Sequence, residues 1–442
     1  MSGPPSPTES RTIHLHEQGA DTTNPSIKTE VTVELELDDI DALRNLVNQN
    51  DEGDAIEFTR SLAAEEEFTI RAKQFVGSIG LPSGRVLRIH PKTDDQSLGR
   101  MLAYTGESRT RFPFDPTTLD KGHSFIDALA KQLASEISSV ITQGMRRSYR
   151  QVTETRDSVR GRINVERQLQ RQPPLPVKFE CTYDQYTYDT IQNQTLLRAS
   201  TIASNLTTSD SIWHDLRQLQ TEFERRNVTR QFVAPPELDA LTFSRLESHY
   251  EQAIALARIF ITRDFITEAD NNAVPVSSFL VEMNDLFERL VRRVARDLYE
   301  KRSPTYRVIK EPVGHFVSEL PDNVGFGYRL PPDVVIKDAG KYTAVMDAKW
   351  TMEGPQMDHF YQMVAYMTVM RVDTGVLVYP NLDEPYQRFC TKAGKEVTAV
   401  ELPLKGITSR SQYEFENTIR SEFKTRLSDA GVFAPDIKST SN

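Results

Sequence analysis

Residues 330–350 constrain the fold of this chain most strongly, because they read as two short apolar strands joined by a turn at residues 338–340. Asp333 opens the first strand, and Asp347 and Lys349 close the second. Residues two apart on a strand point to the same face, so Asp347 and Lys349 share a face. If the strands pair antiparallel, Asp333 lies opposite them. The segment therefore predicts two carboxylates and an ammonium group at one end of a sheet.

Such a trio of charged side chains has a specific chemical use. Carboxylate oxygens are hard ligands that suit Mg2+ or Mn2+, and such an ion activates a water molecule and stabilises negative charge on a phosphate. A neighbouring lysine stabilises or orients the attacking hydroxide. The alternative is that these residues are solvated or paired at strand ends, where Asp and Lys are common.

Two predicted helices flanking the strands carry further polar residues. Glu288 lies on the first helix beside the apolar Phe287, while Gln362 and Tyr366 lie four residues apart on the second and share a face. An acidic helix, a P-D strand, a D-x-K strand and a Q-x-x-x-Y helix together resemble the PD-(D/E)xK nucleases. The resemblance implies an α/β C-terminal domain of the restriction-endonuclease type, a mixed sheet flanked by helices, with Mg2+-dependent DNA endonuclease activity.

The resemblance also implies metal ligands and a catalytic lysine. Asp333 and Asp347 would bind Mg2+, with Mn2+ as a substitute, and the backbone carbonyl of Ala348 would add a further ligand. Lys349 would be the catalytic lysine.

The remaining polar residues have two interpretations each. Glu288 would be an accessory catalytic acid, or a solvated residue on an exposed side of its helix. Gln362 would position the phosphate or the lysine, and Tyr366 would either assist it or pack on the helix face. His359 reads as a surface residue of the same helix. The sequence contains no HExxH motif, so zinc is not indicated.

The order of predicted elements divides the chain into five segments. Residues 1–27 are polar and rich in Pro and Ser, which indicates a disordered tail. A β-rich N-terminal region follows at 28–120, then a mostly helical middle domain with an Arg-rich hairpin at 121–270. The nuclease domain covers 271–430 and begins with a helix at 278–301, and 431–442 is a second disordered tail.

Pieces of sequence outside the nuclease motifs are similar, in their order, to McrC proteins, the nuclease subunits of McrBC modification-dependent restriction systems. The resemblance covers about residues 68 to 425. The pieces lie at 76–79, 87–92, 101–104, 144–149, 159–163, 181–184, 189–193, 286–288 and 375–380.

This resemblance implies a division of labour between two proteins. McrB-type partners form AAA+ GTPase hexamers that recognise modified double-stranded DNA, while McrC binds the ring, stimulates GTP hydrolysis and cuts. The chain has no G-x-x-x-x-G-K-[ST] motif, so any nucleotide chemistry would come from the partner. The N-terminal β region is where we expect contact with the ring.

The net charge of -10 is unevenly distributed along the sequence. Residues 1–60 hold 13 acidic and 4 basic residues, whereas residues 144–171 hold eight arginines against three acids. Such a basic strip can bind phosphates whatever the global charge, or it can be an ordinary solvated surface. Arg160 and Arg162 lie in a tight turn of this strip, and we expect them to contact the partner. The alternatives are a DNA phosphate or a nearby carboxylate such as Asp157 or Asp184.

Other features of the sequence exclude several classes of protein. No window of about eighteen apolar residues predicts a membrane span, and the N-terminus lacks the apolar core of a signal peptide, which favours a cytoplasmic protein without membrane contact. Cys181 and Cys390 are too few for a disulfide framework or a cysteine zinc site.

Two further functions remain consistent with the sequence. The chain could be a stand-alone PD-(D/E)xK nuclease of repair or mobile-element processing, or a non-cleaving activator of an AAA+ ring that has kept the fold only. The intact Asp333, Asp347 and Lys349 argue against the activator, and a neighbouring gene for an AAA+ GTPase would distinguish the stand-alone nuclease.

Overall fold

A computed structural model describes residues 12–20, 28–48, 55–60, 67–105, 125–170, 178–230, 235–262, 277–310, 313–318, 327–392, 394–404 and 412–433. The chain divides into two compact units, one formed by residues 1–128 together with 265–442 and the other by residues 129–264. The regions predicted from the sequence as an N-terminal region and a nuclease domain thus pack within one unit.

The described secondary structure alternates between strands and helices. The strands are β1 (Thr12–His16), β2 (Glu30–Glu34), β3 (Ile56–Arg60), β4 (Glu67–Ala72), β5 (Phe75–Gly80), β6 (Val86–His90), β7 (Ser148–Arg156), β8 (Arg162–Ile163), β9 (Phe179–Thr187), β10 (Ser277–Glu282), β11 (Tyr306–Ile309), β12 (Val313–Ser318), β13 (Gly327–Leu330), β14 (Val334–Asp338), β15 (Lys341–Ala348), β16 (Thr374–Tyr379), β17 (Tyr386–Cys390) and β18 (Glu396–Glu401). The α-helices are α1 (Leu37–Asn48), α2 (Asp95–Thr105), α3 (Phe125–Gln143), α4 (Val165–Gln170), α5 (Ile191–Leu206), α6 (Asp210–Arg225), α7 (Pro235–Asp239), α8 (Glu251–Thr262), α9 (Met283–Tyr299), α10 (Met357–Met370) and α11 (Gln412–Asp429), and residues Arg245–Tyr250 form a 3-10 helix.

A six-stranded mixed sheet forms the C-terminal part of the first unit, in the order β11-β14-β15-β16-β18-β17. Strands β11, β14 and β15 pair antiparallel, β15, β16 and β18 pair parallel, and β17 runs antiparallel to β18. Helices α9 and α10 both contact β15. The mixed sheet with flanking helices agrees with the predicted α/β arrangement, although β17 was not predicted.

The apolar core beneath α10 explains why this helix covers the sheet. Val335 and Val345 are buried and pair across β14 and β15, so their side chains share one face. Met363 and Met367 of α10 belong to the same buried cluster. By strand alternation, the side chains of Asp347 and Val345 point to the same face of the sheet, which is the face that α10 covers.

The N-terminal part of the first unit is built on a four-stranded sheet of order β1-β6-β5-β10 and a three-stranded sheet of order β2-β4-β3. Alternating residues of these strands supply one apolar core with α1. Strand β10 leads directly into α9, the helix that carries Glu288.

Two predictions from the sequence are wrong in this region. Residues 12–16 fall in the predicted disordered tail, but β1 pairs parallel with β6 and buries Ile13 and Leu15. The predicted helix at 278–301 begins instead as strand β10, because residues 277–282 pair antiparallel with β5. Both strands depend on partners distant in sequence. The predicted tail at 431–442 lies mostly outside the described residues, and Phe433 in its described part is buried.

Gly77 on β5 offers a test of the β5–β10 pairing. Its φ is +146°, and a Cβ atom there would lie 1.8 Å from the Phe279 carbonyl oxygen. We therefore expect Gly77→Ala to lower the free energy of unfolding by about 3 kcal/mol, from strain and overpacking together. Gly84→Ala is the matched control, because Gly84 has a φ of +83° but no atom within 4 Å. Denaturant unfolding that gave equal losses for both variants would contradict the close approach.

The second unit contains helices α5, α6 and α8 and a long β-ribbon. Strands β7 and β9 pair antiparallel from Ser148↔Thr187 to Arg156↔Phe179. Nine residues of paired strand span about 30 Å. After β7 the chain turns back along the ribbon, so that β8 pairs antiparallel with Thr182 and Cys181 of β9 and α4 follows; we call residues 157–170 the ribbon tip. In the described part of the chain, no helix is long and apolar enough to cross a membrane.

Candidate active site

The antiparallel register of β14 and β15 brings the predicted acids together. Val334 pairs with Met346, so the residue before Val334 meets the residues after Met346. The backbone N–H of Ala348 donates a 2.8 Å hydrogen bond to Asp333 Oδ2. Asp333 is 8% and Asp347 2% exposed, so both acids lie inside the protein although they are charged residue types. The predicted meeting of Asp333 with the end of the second strand is confirmed.

Lys349 lies between an acid of the sheet and an amide of α10. Its Nζ is 2.6 Å from Asp347 Oδ2 and donates a 2.7 Å hydrogen bond to Gln362 Oε1. The Lys349 backbone N–H donates to Val378 O of β16 at 2.8 Å. The main chain and the side-chain nitrogen of Lys349 are thus both fixed.

Helix α10 holds the amide of Gln362 from behind. Gln362 Nε2 donates a 2.7 Å hydrogen bond to the Tyr366 hydroxyl, which lies 3.4 Å from the carbonyl oxygen of Pro331. Tyr366 is buried, and it joins the apolar cluster beneath α10. Tyr366 therefore combines the two roles considered from the sequence, because it both packs on the helix face and orients Gln362.

Glu288 reaches the same place from α9. Its carboxylate accepts a 2.9 Å hydrogen bond from Lys310 Nζ, and the Arg292 guanidinium lies 3.9 Å away. Arg292 also donates to the carbonyl oxygen of Asp333 at 3.0 Å. The Glu288 side chain is 24% exposed and interacts directly with the Asp333 carboxyl group. The position of Glu288 therefore agrees with a residue of the site and not with a solvated residue on an exposed side of its helix.

The proximity of three acids changes the protonation of one of them. Burial, then the negative charges of Asp347 and Glu288, raises the pKa of Asp333 to about 8. The same acids and burial raise the pKa of Tyr366 above its ordinary value. Among the described residues, no group meets the hydrogen-bond geometry of a donor to the buried Asp347 Oδ2, although Lys349 pairs with it electrostatically. A cation bound among these acids would offset their mutual repulsion and favour the ionised form of Asp333.

These residues line a cavity of about 500 Å3. Seven lining residues were not predicted as part of a site. They are Gln74, Asn284, Lys310, Pro331, Trp350, Thr351 and His359. Helix periodicity was a signal for Asn284, four residues before Glu288, and for His359, three before Gln362. Pro331, Trp350 and Thr351 adjoin the predicted strands, whereas Gln74 and Lys310 reach the cavity from distant segments.

His359 differs from the surface residue predicted for it. It lines the cavity, its side chain is 14% exposed, and its Nδ1 lies 2.9 Å from the buried Tyr379 hydroxyl. The backbone N–H of Gln356 donates to the same nitrogen at 3.2 Å, so Nδ1 is the acceptor. Burial, followed by the charge of Lys349, lowers the pKa of His359.

Comparison with known proteins identifies the family. A family model described as McrBC 5-methylcytosine restriction system component matches residues 70–380. The chain belongs to the McrBC family. The match spans the predicted motifs from β4 to the end of β16, and no curated protein is similar enough to count as a match.

A solved structure of McrBC proteins from Thermococcus gammatolerans shares the fold. A chain of the half-complex of McrB AAA+ hexamers with bound McrC aligns with 93% of this chain and 99% of its own length, at 18% identity and a TM-score of 0.58. A chain of the McrBC complex covers 65% of this chain and 88% of its own length, at 20% identity and a TM-score of 0.40. The family match and the first structure support a McrC-type subunit of the McrBC restriction system and confirm the resemblance found in the sequence.

The arginines singled out in the sequence belong to the second unit and do not line this cavity. Arg160 and Arg162 are both exposed at the ribbon tip. The Arg160 guanidinium stacks on the Tyr183 ring at 4.2 Å. Within the described residues no ion pair joins either arginine to Asp157, whose carboxylate lies 3.8 Å from Lys178 Nζ.

Proposed function

We propose that this McrC-type chain is the DNA-cleaving subunit of its restriction system and hydrolyses phosphodiester bonds with a bound Mg2+ ion. The observation that carries the proposal is the meeting of buried Asp333 and Asp347 with Lys349 at one end of a mixed sheet. Asp333, Asp347, Lys349, Glu288 and Gln362 agree in type and position with the PD-(D/E)xK nucleases. Buried acids without full pairing are costly, so their presence favours a functional role.

The oxygen atoms of the site fit a magnesium ion. Asp333 and Asp347 offer carboxylate ligands, the Ala348 carbonyl is a third, and Mg2+ commonly keeps several waters beside one or two carboxylates. Among the described residues, no set of three or more His, Cys, Asp and Glu side chains forms a complete metal cage. A ligand set of two acids and water needs no such cage. When bound, the ion would lower the pKa of a water and neutralise charge on the phosphate.

The residues of the chain would orient the reacting groups. Lys349 is held by Asp347 and Gln362, so its ammonium group lies at the mouth of the acidic site, where it can stabilise a developing negative charge. Gln362 cannot rotate freely, because Tyr366 accepts a hydrogen bond from its amide nitrogen. Glu288 would accept a proton or hold a water from the α9 side of the cavity. Positioning of this kind can supply a large share of the reduction in an activation barrier.

Metal removal tests the proposal. We expect the full chain with its AAA+ partner to cut modified double-stranded DNA in Mg2+ or Mn2+ and to stop when EDTA removes the ion. The ion should also raise the melting temperature of the chain alone, because it relieves repulsion between Asp333, Asp347 and Glu288. Cleavage that persisted in EDTA would contradict the metal site. Cleavage of DNA without any partner would favour the stand-alone nuclease instead.

We propose further that the partner is an McrB-like AAA+ GTPase hexamer. The Thermococcus gammatolerans protein of similar fold is part of such an assembly. The ribbon tip is suited to contact a ring, because it presents the exposed arginines Arg160 and Arg162 beside β9. It also exposes apolar side chains that a monomer would bury. They are Val159, Ile163, Val165 and Leu169, with exposures of 52%, 41%, 62% and 77%.

The N-terminal β region was expected to contact the ring, and it remains a second candidate surface. Its strands β1, β5, β6 and β10 contribute to one buried core with the helix α1. Leu37, 80% exposed, is the one large apolar side chain at high exposure in the described part of this region. The exposed apolar surface therefore favours the ribbon tip. A non-cleaving activator would dock in the same way but leave DNA intact.

A further inference from the structure

A buried ion-pair cluster lies directly behind the candidate catalytic lysine. Glu17, at the end of β1, is fully buried. Its Oε1 accepts a 2.7 Å hydrogen bond from the backbone N–H of Lys92, and its Oε2 accepts a 2.9 Å hydrogen bond from the indole Nε1–H of Trp350. The two carboxylate oxygens thus connect a loop after β6 with the residue that follows Lys349.

Lys92 closes the cluster from the other side. Its side chain is 4% exposed, and its Nζ donates a 3.1 Å hydrogen bond to the carbonyl oxygen of Trp350. The same nitrogen lies 3.9 Å from Glu17 Oε2 and 5.9 Å from the centre of the Trp350 ring. Burial raises the pKa of Glu17 to about 6, so the carboxylate is charged at neutral pH. Trp350 is therefore held by its side chain and by its main chain.

This cluster adjoins the candidate site without being part of it. Glu17 and Lys92 do not line the cavity, whereas Trp350 does. The Trp350 ring also packs against Phe287, 5.3 Å away between ring centres, on the helix that carries Glu288. Lys349 lies one residue before Trp350 in the chain. The position of the lysine nitrogen thus depends on the Trp350 backbone that Lys92 and Glu17 hold.

A buried ion pair is a weak source of folding stability. Desolvation of two charged groups commonly cancels their attraction, and apolar residues of similar volume often serve stability as well. The pair instead fixes the position of Trp350, because its hydrogen bonds reach both the side chain and the main chain of that residue. Charged groups in such a buried place are consistent with a requirement that Trp350 be held in one position.

We propose that Glu17 and Lys92 are positioning residues, which act through Trp350 to hold Lys349 in its catalytic position. The inference rests on the proposed nuclease function and deepens it, because it makes a segment at the far N-terminal end of the chain part of the nuclease machinery. The residues touch neither metal nor DNA. Their effect is on the rate of the cleavage step.

Two substitutions test the proposal in the full chain with its partner. Glu17→Gln keeps the size of the side chain but leaves one oxygen for two donors and removes the charge facing Lys92. Trp350→Phe keeps a ring but removes the indole N–H. We expect both to slow single-turnover cleavage about 10- to 100-fold, the effect of displacing a catalytic group by about 1 Å. DNA affinity should change less than about twofold, because neither change removes a phosphate contact.

Asp39→Asn is the matched control for a purely structural effect. Asp39 is also fully buried, pairs with Arg85 at 2.8 Å and accepts from the Ser83 N–H and hydroxyl groups, but it does not line the cavity. We expect Asp39→Asn to lower the melting temperature at least as much as Glu17→Gln and yet to cut at the normal rate at 25 °C.

The outcomes separate this inference from the proposed function. Slow cleavage by both variants with unchanged DNA affinity supports the positioning role. If the wild type cuts and Asp347→Ala does not, but Glu17→Gln and Trp350→Phe cut at the wild-type rate, the positioning role is wrong and the nuclease function stands. Equal slowing by Asp39→Asn would assign the effect to general destabilisation and overturn the inference. A wild-type chain that never cuts would overturn both proposals.

Discussion

Asp347→Ala is expected to reduce Mg2+-dependent DNA cleavage to background while the protein stays folded. Loss of one of the two proposed carboxylate ligands would remove several kcal/mol of stabilisation from the transition state, which corresponds to about a thousandfold or more in rate. The fold should tolerate the change, because Asp347 raises the pKa of Asp333 and its removal relieves repulsion between them. Single-turnover cleavage of modified plasmid measures the activity, and thermal unfolding measures the fold.

Two further substitutions make this result specific. Lys349→Ala should also abolish cleavage, since it removes the only ammonium group that is bonded to both Asp347 and Gln362 in the described cavity. Asp338→Ala is the control, because Asp338 ends β14 at the turn, at the other end of the strand pair. Cleavage by Asp347→Ala or Lys349→Ala at the wild-type rate would refute the site assignment, as would inactivity of Asp338→Ala in a folded protein.

The second large effect is expected at the ribbon tip. We predict that Arg160→Ala combined with Arg162→Ala abolishes stimulation of the partner's GTP hydrolysis, with DNA binding intact. An arginine that stabilises a transferring phosphoryl group is worth on the order of a thousandfold in rate. Both arginines are exposed, and they lie among the exposed apolar residues Val159 and Ile163. Steady-state GTP hydrolysis by the partner, with and without each variant, measures the effect.

Different outcomes would assign the arginines differently. If they bind DNA backbone, the double variant should flatten the salt dependence of DNA binding by roughly one log-log unit for each phosphate that is no longer neutralised, with stimulation retained. If Arg160 mainly supports the Tyr183 ring, the double variant should only melt earlier. Arg156→Ala provides the control for that case, since Arg156 also contacts Tyr183 through a 3.1 Å hydrogen bond but lies within the ribbon.

The central trio of the site could be predicted from sequence because its geometry is local. Asp333 and Asp347 are separated by one turn, and strand alternation with antiparallel pairing determines which side chains meet. Gln362 and Tyr366 were found for the same reason, since helix periodicity places them on one face. In each case the residues that determine the contact lie close together in the sequence.

The rest of the site could not be predicted because distant segments supply it. Gln74 and Lys310 line the cavity from separate regions, and no local pattern in their surroundings differs from an ordinary surface. Glu17 was assigned to a disordered tail because its neighbours are polar, and only pairing with β6 makes this stretch a strand. Strand β10 was misassigned as helix for the same reason, since its partner β5 is almost 200 residues away, a separation evident from the pairing of Ser277 with Gly80.

The separation of β5 and β10 has a consequence for biosynthesis. Strand β5 cannot pair with β10 until the whole second unit, residues 129–264, has been synthesised. At roughly 5 to 20 residues per second, a gap of about 200 residues corresponds to roughly 10 to 40 seconds on the ribosome. During this interval Glu17 and Lys92 have no Trp350 to hold. A nascent chain therefore cannot assemble the proposed site until Lys349 and Gln362, which pair within it, have both been made.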